Sequence, residues 1–353
     1  MSDKGSTISL NLNRMGKRVS KTKLINNVTK LLRRNGFNTD EIKATIRSWD
    51  YAALSEKYSH GYDRITWLLK MVKQNKIIPN RPIKITKRGI FTHIEGNNSL
   101  GYLAAEKAVY NVIIAAKQFG VGSATIADCY PTGCMGQYTE KITQSDQIGI
   151  TVSHSSPRVA AFGTIDKIFG TMGHSFGFPS KKIPYIYNAS IGAITNGTIM
   201  NHYSTNTLFP KNSVFTKKGV MTINPSDVLD EKGIFNGIIA IAGDRHANKI
   251  SGLAGSLELL TRLALISIQK QTDAYSFFMA INPSFFGDQN TYRKMVDKLQ
   301  KEIVGGKKQK DIKKVYFAGQ KSYLLRKKNS TKKTILVSSN TYKFLFSKNE
   351  GTV

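Results

Sequence analysis

The chain has 353 residues, 40% of them hydrophobic, and contains 52 Lys and Arg against 23 Asp and Glu. This length and apolar content are enough for one large or two smaller packed domains, so a disordered or fibrous protein is excluded. The sequence contains no run of eighteen apolar residues, and its N-terminus lacks the apolar stretch of a secretory signal. We therefore expect a cytoplasmic protein with no membrane-spanning segment.

The net charge of +29 could mark a surface that binds nucleic acid. However, the aromatic-interleaved basic motifs of RNA-binding modules are missing, as are zinc-finger and helix-turn-helix patterns. Much of the excess charge lies in the last fifty residues, and we expect 305–353 to form a basic, solvated tail with only loose attraction to polyanions. A nucleic acid is therefore not the expected partner.

The only cysteines are Cys129 and Cys134. No second cysteine pair and no neighbouring histidine accompanies them, so neither a disulfide framework nor a closed zinc site is predicted. We expect two reduced thiols and no metal site.

The first eighty residues are predicted to be all helical. Apolar residues recur at helical spacing over 20–35, 40–56 and about 61–74. Ser20 and Thr39 stand where the first two of these helices need an N-cap.

Beyond residue 80 the pattern changes to short apolar runs that alternate with longer helices. The predicted helices cover 100–119, 251–269 and 290–303, and the predicted strands cover 123–127, 147–152, 234–241, 275–281 and 334–338. Residues 195–233 are rich in Asn, Thr, Lys and Gly and are predicted to be mostly loop. This pattern indicates a mixed α/β core.

The most informative segment is Ser59-His60-Gly61-Tyr62-Asp63-Arg64. A histidine can exchange a proton near neutral pH, and an arginine can bind a carboxylate at two points. In one helix, their spacing would place both side chains on one face, with Cβ atoms about 6 Å apart. The pair therefore suits reduction of a carbonyl or imine next to a carboxylate. A structural role for His60 is the alternative.

Several segments, taken in order, resemble the malate/L-lactate dehydrogenase family, in particular its sulfolactate and ureidoglycolate dehydrogenases. Ser59, His60, Gly61 and Arg64 match the Ser-His-Gly-x-x-Arg signature of that family. The other matching segments are 78–79, 95–96, 101, 120–122, 155–163, 170–171, 219–225, 249–254 and 318–320. The resemblance extends over about residues 20–322.

The resemblance implies an α/β fold with a mixed-sheet, non-Rossmann nicotinamide-binding domain packed with an all-helical domain. The helical domain would comprise 20–85, carry the Ser-His-Gly-x-x-Arg motif and be joined by the helix 290–304. The NAD(P)-binding domain would comprise 86–289, and the basic tail 305–353. Because members of the family place the active site at a subunit interface, a homodimer is also implied.

The resemblance also implies the roles of individual residues. His60 would be the proton donor, Arg64 would bind the substrate carboxylate, and Ser59 would hydrogen-bond substrate or cofactor. The cofactor would be NAD or NADP. The residues implied in binding it are Thr171, Ser190, Lys249, Gly252 and Gly319.

The sequence departs from the family pattern at several positions. Pro131 stands where the family has a second active-site histidine, and Tyr187 where it has an aspartate. Met172 and Gly173 replace an Asn-Pro pair, and the neighbouring His174 could supply the missing imidazole. Two hypotheses stay open: an NAD(P)H-dependent reductase of a 2-oxo acid or imine, and a degenerate homologue without standard hydroxy-acid dehydrogenase activity. A third, a nucleic-acid-binding protein, rests only on the net charge.

Overall fold

The computed structural model describes residues 16–230, 234–268 and 272–347. The helices are α1 (Lys21–Arg34), α2 (Thr39–Leu54), α3 (Ile65–Lys73), α4 (Gly101–Phe119), α5 (Gly136–Thr143), α6 (Asn196–Ser204), α7 (Ala247–Arg262), α8 (Gln289–Gly305), α9 (Gln320–Ser330) and α10 (Ser339–Phe346). The strands are β1 (Gly16–Ser20), β2 (Lys84–Arg88), β3 (Phe91–Leu100), β4 (Val121–Tyr130), β5 (Ile148–Ser153), β6 (Val159–Ala160), β7 (Lys167–Phe169), β8 (Gly173–Phe178), β9 (Tyr185–Ala189), β10 (Val214–Phe215), β11 (Met221–Thr222), β12 (Ile238–Ile239), β13 (Tyr275–Ile281) and β14 (Thr334–Ser338).

The caps of the first two helices follow ordinary hydrogen-bond rules. Ser20 caps α1 as predicted, since its side chain accepts a bond from the amide of Lys23. The cap of α2 is Asn38 and not Thr39, so that prediction is wrong. The reason is a capping box: the Asn38 side chain accepts from the Glu41 amide, and the Glu41 carboxylate accepts from the Asn38 amide.

The segment that carries the Ser-His-Gly-x-x-Arg motif is not the start of a regular helix, contrary to the sequence prediction. Two short 3₁₀ turns, Tyr58–His60 and Tyr62–Arg64, precede α3 and are separated by Gly61. A Cβ atom at Gly61 would lie 3.2 Å from the Cβ of Ala53, so close packing on α2 favours glycine there. His60 and Arg64 therefore do not share the face of one α-helix.

The unit formed by α1–α3 is completed by the C-terminal segment. Strand β1 pairs antiparallel with β14, so the prediction of an all-helical N-terminal part is wrong. Ile335 and Val337 are buried in the same core as Leu24 and Trp49. The prediction of a solvated tail over 305–353 is therefore wrong for β14, whose apolar side chains pack on this core.

A seven-stranded sheet forms the centre of the protein, with the strand order β2-β3-β4-β13-β5-β8-β9. β3 and β4 are parallel and the other neighbours are antiparallel, so the predicted mixed sheet is confirmed. Helices α4 and α5 cover one face through a core that includes Ala108, Val112, Ile126, Ile142 and Phe278. Gly120 ends α4 with φ of 84°, a conformation that favours glycine.

A smaller sheet lies beside it, with the order β11-β10-β12-β6-β7. The predicted strand 234–241 is reduced to Ile238–Ile239, because the amides of Ala240 and Ala242 donate to different loops, at Ser213 and Ile191. Within the predicted loop 195–233, nine residues form α6. These sheets and helices share a core that includes Val159, Phe169, Ile191, Ile239 and Leu257.

Two other predicted helices differ in position or packing. The helix predicted over 251–269 spans Ala247–Arg262 and ends in a 3₁₀ turn, while Gln269 lies outside the described residues. Helix α8 was expected to join the helical domain, but its Gln289 and Arg293 bond to Asp146, in the turn before β5. None of the described helices combines the length and apolar character needed to cross a membrane.

Candidate active site

The His60 side chain lies near one hydroxyl group and two cationic side chains. Its Nδ1 is 3.1 Å from Ser59 Oγ, and its backbone amide donates to the carbonyl of Lys57 at 3.0 Å. Burial, reinforced by the positive charges of Arg64 and Lys57, lowers the pKa of His60 to about 4. The imidazole is therefore neutral at pH 7, and the charge around it would favour an anion.

The Arg64 side chain is positioned by aromatic residues. Its guanidinium lies 4.3 Å from the ring centroid of Trp67 and hydrogen-bonds to the hydroxyl of Tyr102. Tyr102 is buried and also accepts a bond from Trp49 Nε1 at 3.1 Å. No ion pair joins Arg64 to a carboxylate within the described residues. The guanidinium is thus held in place while it keeps capacity for an external carboxylate.

Ser59 packs against the first turn of α6. A Cβ atom at Gly197 would lie only 2.7 Å from that of Ser59, so glycine permits this close approach. The preceding residue, Asn196, accepts a bond from Arg158 Nη1 at 3.2 Å. In this way the 155–163 segment is connected to the Ser-His-Gly-x-x-Arg motif. Sequence reasoning missed Asn196 and Arg158, although Arg158 lies inside a segment already singled out.

Thr171 and Ser190 are brought together by their loops. The Thr171 amide donates to Ser155 Oγ at 3.2 Å, and the Thr171 carbonyl accepts from the amide of Ile191 at 3.1 Å. Ser190 follows β9 directly and donates to the carbonyl of Gly192 at 3.4 Å. The predicted hydroxyl groups therefore lie on neighbouring loops at the end of the central sheet.

Lys249 and Gly252 are exposed on the N-terminal half of α7. A Cβ atom at Gly252 would meet no atom within 4 Å, so the surface beside it is open. Ser251 accepts a bond from the amide of Phe162 at 3.2 Å, which ties α7 to the 155–163 segment. The same segment thus connects the predicted cofactor residues of α7 to the Ser-His-Gly-x-x-Arg motif.

Gly319 lies apart from these residues, at the N-cap of α9. Its φ is +83°, and a Cβ atom there would approach the carbonyl oxygen of Ile186 to 2.7 Å, so this turn requires glycine. It lines a cavity of about 190 Å³ together with Lys57, Asn188 and Arg326. Lys57 lies three residues before His60, so this cavity adjoins the segment that carries the Ser-His-Gly-x-x-Arg motif. Lys249 and Gly252 do not line it.

The residues at and next to the positions that depart from the family pattern make local contacts. Thr132, which follows Pro131, has its hydroxyl 2.7 Å from that of Ser153. The ring centroids of Tyr187 and His174 are 5.6 Å apart. His174 Nδ1 is 3.1 Å from the carbonyl of Met172, while its buried Nε2 has no hydrogen-bond partner among the described residues. Burial lowers the pKa of His174, so it is neutral, and its replacement of the missing imidazole stays a hypothesis.

Other chemistry receives no support from the described residues. They contain no group of three or more His, Cys, Asp or Glu side chains that could hold a metal ion. Cys129 and Cys134 are free and buried, and burial raises the pKa of each thiol. Both are therefore protonated at neutral pH and are poor nucleophiles.

Comparison with known proteins agrees with this arrangement. The sequence profile of the malate/L-lactate dehydrogenase family matches residues 19–345. The chain belongs to this family. It is 29% identical over 287 residues to an L-sulfolactate dehydrogenase of Methanocaldococcus jannaschii, covering 77% of this chain and 80% of that protein. It is 24% identical over 233 residues to a Δ¹-pyrroline-2-carboxylate reductase of Burkholderia ambifaria, covering 65% and 66%.

Solved structures show the same fold. The crystal structure of malate dehydrogenase from Entamoeba histolytica superposes with a TM-score of 0.86 at 22% identity, covering 94% of this chain and 96% of that one. The predicted family and the mixed α/β fold are thus confirmed, as is the class of NAD(P)-dependent oxidoreductases.

Proposed function

We propose that the protein is an NAD(P)H-dependent reductase, reversible as a dehydrogenase, of a 2-oxo acid or of an imine adjacent to a carboxylate. The observation that carries this proposal is the setting of His60. A neutral imidazole lies beside a hydroxyl group and beside Arg64, whose guanidinium has no carboxylate partner within the described residues. This combination can hold a carboxylate and exchange a proton with the adjacent atom.

The proposed chemistry follows from these two side chains. Arg64 binds the substrate carboxylate, which orients the adjacent carbonyl or imine toward His60. In the oxidation direction, neutral His60 takes the proton from the hydroxyl or amine group. In the reduction direction it returns that proton to oxygen or nitrogen. An anion bound at Arg64 offsets the positive charge that lowers the pKa of His60, so substrate binding itself favours the protonated donor.

The residues present fit a nicotinamide dinucleotide. Thr171 and Ser190 offer hydroxyl groups on adjacent loops, and Gly252 has open space beside it. Lys249 presents an exposed cation for a phosphate, and Gly319 lines the cavity next to the catalytic segment. When bound, the nicotinamide ring supplies or accepts the hydride. We propose NAD or NADP without choosing between them.

The names of the relatives support both substrate types. The protein of M. jannaschii is named for a hydroxy acid, and that of B. ambifaria for a cyclic imine next to a carboxylate. Both substrates carry a carboxylate for which the Arg64 position is suited. By analogy with the family, we also propose a homodimer that acts in the cytoplasm on a small molecule, with nucleic acid not a partner.

A second function is favoured by the altered positions. Pro131 and Tyr187 remove the imidazole and the carboxylate that the family pattern has there. A degenerate homologue would bind a ligand without hydride transfer. The intact Ser59, His60 and Arg64 favour the reductase.

The test is a titration of the pure protein with NADH and NADPH, followed by assays of cofactor oxidation with a panel of 2-oxo and imino acids. We expect binding of at least one cofactor and turnover of at least one substrate. Lys249→Ala should weaken cofactor binding by about 1.5–3 kcal/mol, the range of a charged hydrogen bond, and Lys30→Ala, at an exposed position of α1, is the control. Cofactor binding without turnover would favour the degenerate homologue. Absence of both would reject the proposal.

A further inference from the structure

A second, larger cavity lies on the face of the seven-stranded sheet that α4 and α5 do not cover. Ile94, Ala124 and Phe278 belong to the core beneath those helices, and side chains alternate between the two faces along a strand. The intervening residues of β2, β3, β4 and β13 line a cavity of about 530 Å³ on the other face. This volume falls in the range of about 300–1,000 Å³ that small-molecule sites have. The residues assigned above to substrate and cofactor do not line it.

The strand register arranges the floor of this cavity in two rows. His93 lies opposite Thr86 on β2 and Thr125 on β4, and Thr125 lies opposite Phe277 on β13. The neighbouring row consists of Arg88, Phe91, Ser123 and Met279. The floor is therefore apolar at β13 and polar or charged at β2.

The end of α7 forms an apolar wall beside β13. Leu260 in the last turn of α7 and Leu263 in the 3₁₀ turn that follows both line the cavity. Leu263 is nevertheless 45% exposed, so it lies where the cavity opens to solvent. The cavity thus has an apolar side, made by β13 and the end of α7, that a ring or hydrocarbon group can fill.

The polar side contains a hydrogen-bonding atom that the protein leaves without a partner. His93 Nδ1 is 2.9 Å from Thr125 Oγ1, whereas its Nε2 is buried and has no hydrogen-bond partner among the described residues. Buried polar atoms generally have a partner, from the protein or from a bound molecule. Burial lowers the pKa of His93, so the ring is neutral. A ligand oxygen next to this ring would supply the partner that Nε2 lacks.

The rim of the cavity on β2 is positive. Lys84 Nζ lies 3.6 Å from Glu95 Oε2, so that cation has a counter-charge. No salt bridge in the described part of the chain joins Arg88 to a carboxylate. With two cations and one carboxylate lining the cavity, its polar side favours an anion over a neutral or cationic group.

These charges also favour a small molecule over a second copy of the chain. A two-fold contact across this cavity would bring two identical positive rims together, and like charges oppose such a contact. A small anion meets the same rim with opposite charge. The proposed homodimer would then use another surface.

We propose that this cavity binds a small amphipathic anion, with a ring or hydrocarbon part and a carboxylate or similar oxyanion. The apolar part would lie on Phe277 and Met279 against Leu263, and the acidic group would lie near Arg88 and His93. The site has no residue in common with the proposed active site, so this inference does not depend on the proposed function.

The experiment is calorimetry of the pure protein with 2-naphthoate and with its neutral analogue 2-naphthalenemethanol. Wild type should bind 2-naphthoate more tightly. Leu263→Trp narrows the opening and should weaken this binding at least ten-fold, whereas Leu299→Trp, at a similarly exposed position of α8, should not change it. Arg88→Gln should weaken 2-naphthoate binding about two- to five-fold, as expected for an exposed charge pair, and leave the neutral analogue unaffected. Arg33→Gln on α1 is the matched control.

NMR of labelled histidine locates the bound anion. The ring resonance of His93, assigned by its absence from the spectrum of His93→Gln, should shift when 2-naphthoate binds. Arg64→Gln should bind 2-naphthoate as wild type does, since Arg64 does not line this cavity.

Several results would overturn the assignment. Unchanged binding by Leu263→Trp would place 2-naphthoate elsewhere, and binding lost in Arg64→Gln would place it at the proposed substrate position. Equal affinity for the two compounds would show that no anion is recognised. Absence of 2-naphthoate binding would reject the site. Dissociation of a wild-type dimer by Leu263→Trp, measured by sedimentation, would show that a second copy covers the cavity instead.

Discussion

Two histidines of this protein lie in opposite electrostatic settings. His154 Nδ1 is 2.7 Å from Glu258 Oε2, and its ring stacks on Tyr275 with centroids 4.1 Å apart. The Tyr275 hydroxyl and Arg262 Nε donate to the other oxygen of Glu258 at 2.7 and 2.8 Å. Burial opposes ionisation of Glu258, but these hydrogen bonds outweigh it and lower its pKa to about 2. Both oxygens of the Glu258 carboxylate thus have hydrogen-bond partners within the protein.

The side chain of His60, in contrast, has no carboxylate partner among the described residues. Its hydrogen-bond partner is a serine hydroxyl, and the charges that act on it are the cations Arg64 and Lys57. An internal carboxylate bonds to the first histidine, whereas the second has a hydroxyl partner and lies near two cations. We interpret the His154 cluster as structural, and the positive charge around His60 supports the proposal that a substrate anion binds there.

The largest expected effect concerns the unit that carries His60. Ending the chain after Lys333 removes β14 and α10. The buried Ile335, Leu336 and Val337 alone account for a loss of about 4.5–9 kcal/mol from apolar burial, at about 1.5–3 kcal/mol each. Hydrogen exchange should then show lost protection over α1–α3, while β5 and β13 around His154 stay protected. Retained protection in α1–α3 would contradict the role given to the C-terminal segment.

The sequence predicts part of this picture. Ser59, His60 and Arg64 form one contiguous motif, and the ordered family segments identify the fold around them. The pairing of β1 with β14 joins residues more than 300 positions apart, and no local pattern encodes it. Likewise, His154 and Glu258 are 104 residues apart, so their bond cannot be predicted from spacing. The 3₁₀ turns at His60 depend on packing of Gly61 against α2, which periodicity does not report.

The second-largest expected effect concerns the buried cluster of His154, Glu258 and Arg262. Glu258→Ala leaves His154 and Arg262 without their shared carboxylate and should lower the free energy of unfolding by about 3–5 kcal/mol. Glu302→Ala, which removes an exposed carboxylate 3.9 Å from Lys298, should cost less than about 1 kcal/mol. Urea denaturation measures both. Similar small losses would show that the buried cluster is not a structural element.

A smaller effect is expected at the substrate guanidinium. Arg64→Lys keeps the charge but loses the planar two-point contact with a carboxylate, so KM should rise about ten-fold or more with a modest change in kcat. Steady-state kinetics with the substrate found in the panel measures this. A large fall in kcat at unchanged KM would place Arg64 in the chemical step instead.

The smallest effect sharpens the electrostatic comparison. Lys57→Gln removes one of the charges that lower the pKa of His60, so that pKa should rise from about 4 toward its ordinary value. NMR titration of labelled histidine measures the shift, and Lys30→Gln on α1 is the control.

In the oxidation direction, kcat/KM of wild type should fall as the pH drops through about 4, because His60 must be neutral to accept the proton. In Lys57→Gln this fall should begin at higher pH; an unchanged profile would contradict the assignment of His60.

The most direct measurement is kcat of His60→Asn in the reduction direction, with cofactor affinity and unfolding measured in parallel. Loss of the proton donor should lower kcat about 10²–10⁴-fold, while cofactor affinity and stability change little. His60→Asn with full turnover would contradict the account, since the unpaired setting of His60 would then have no part in the reaction.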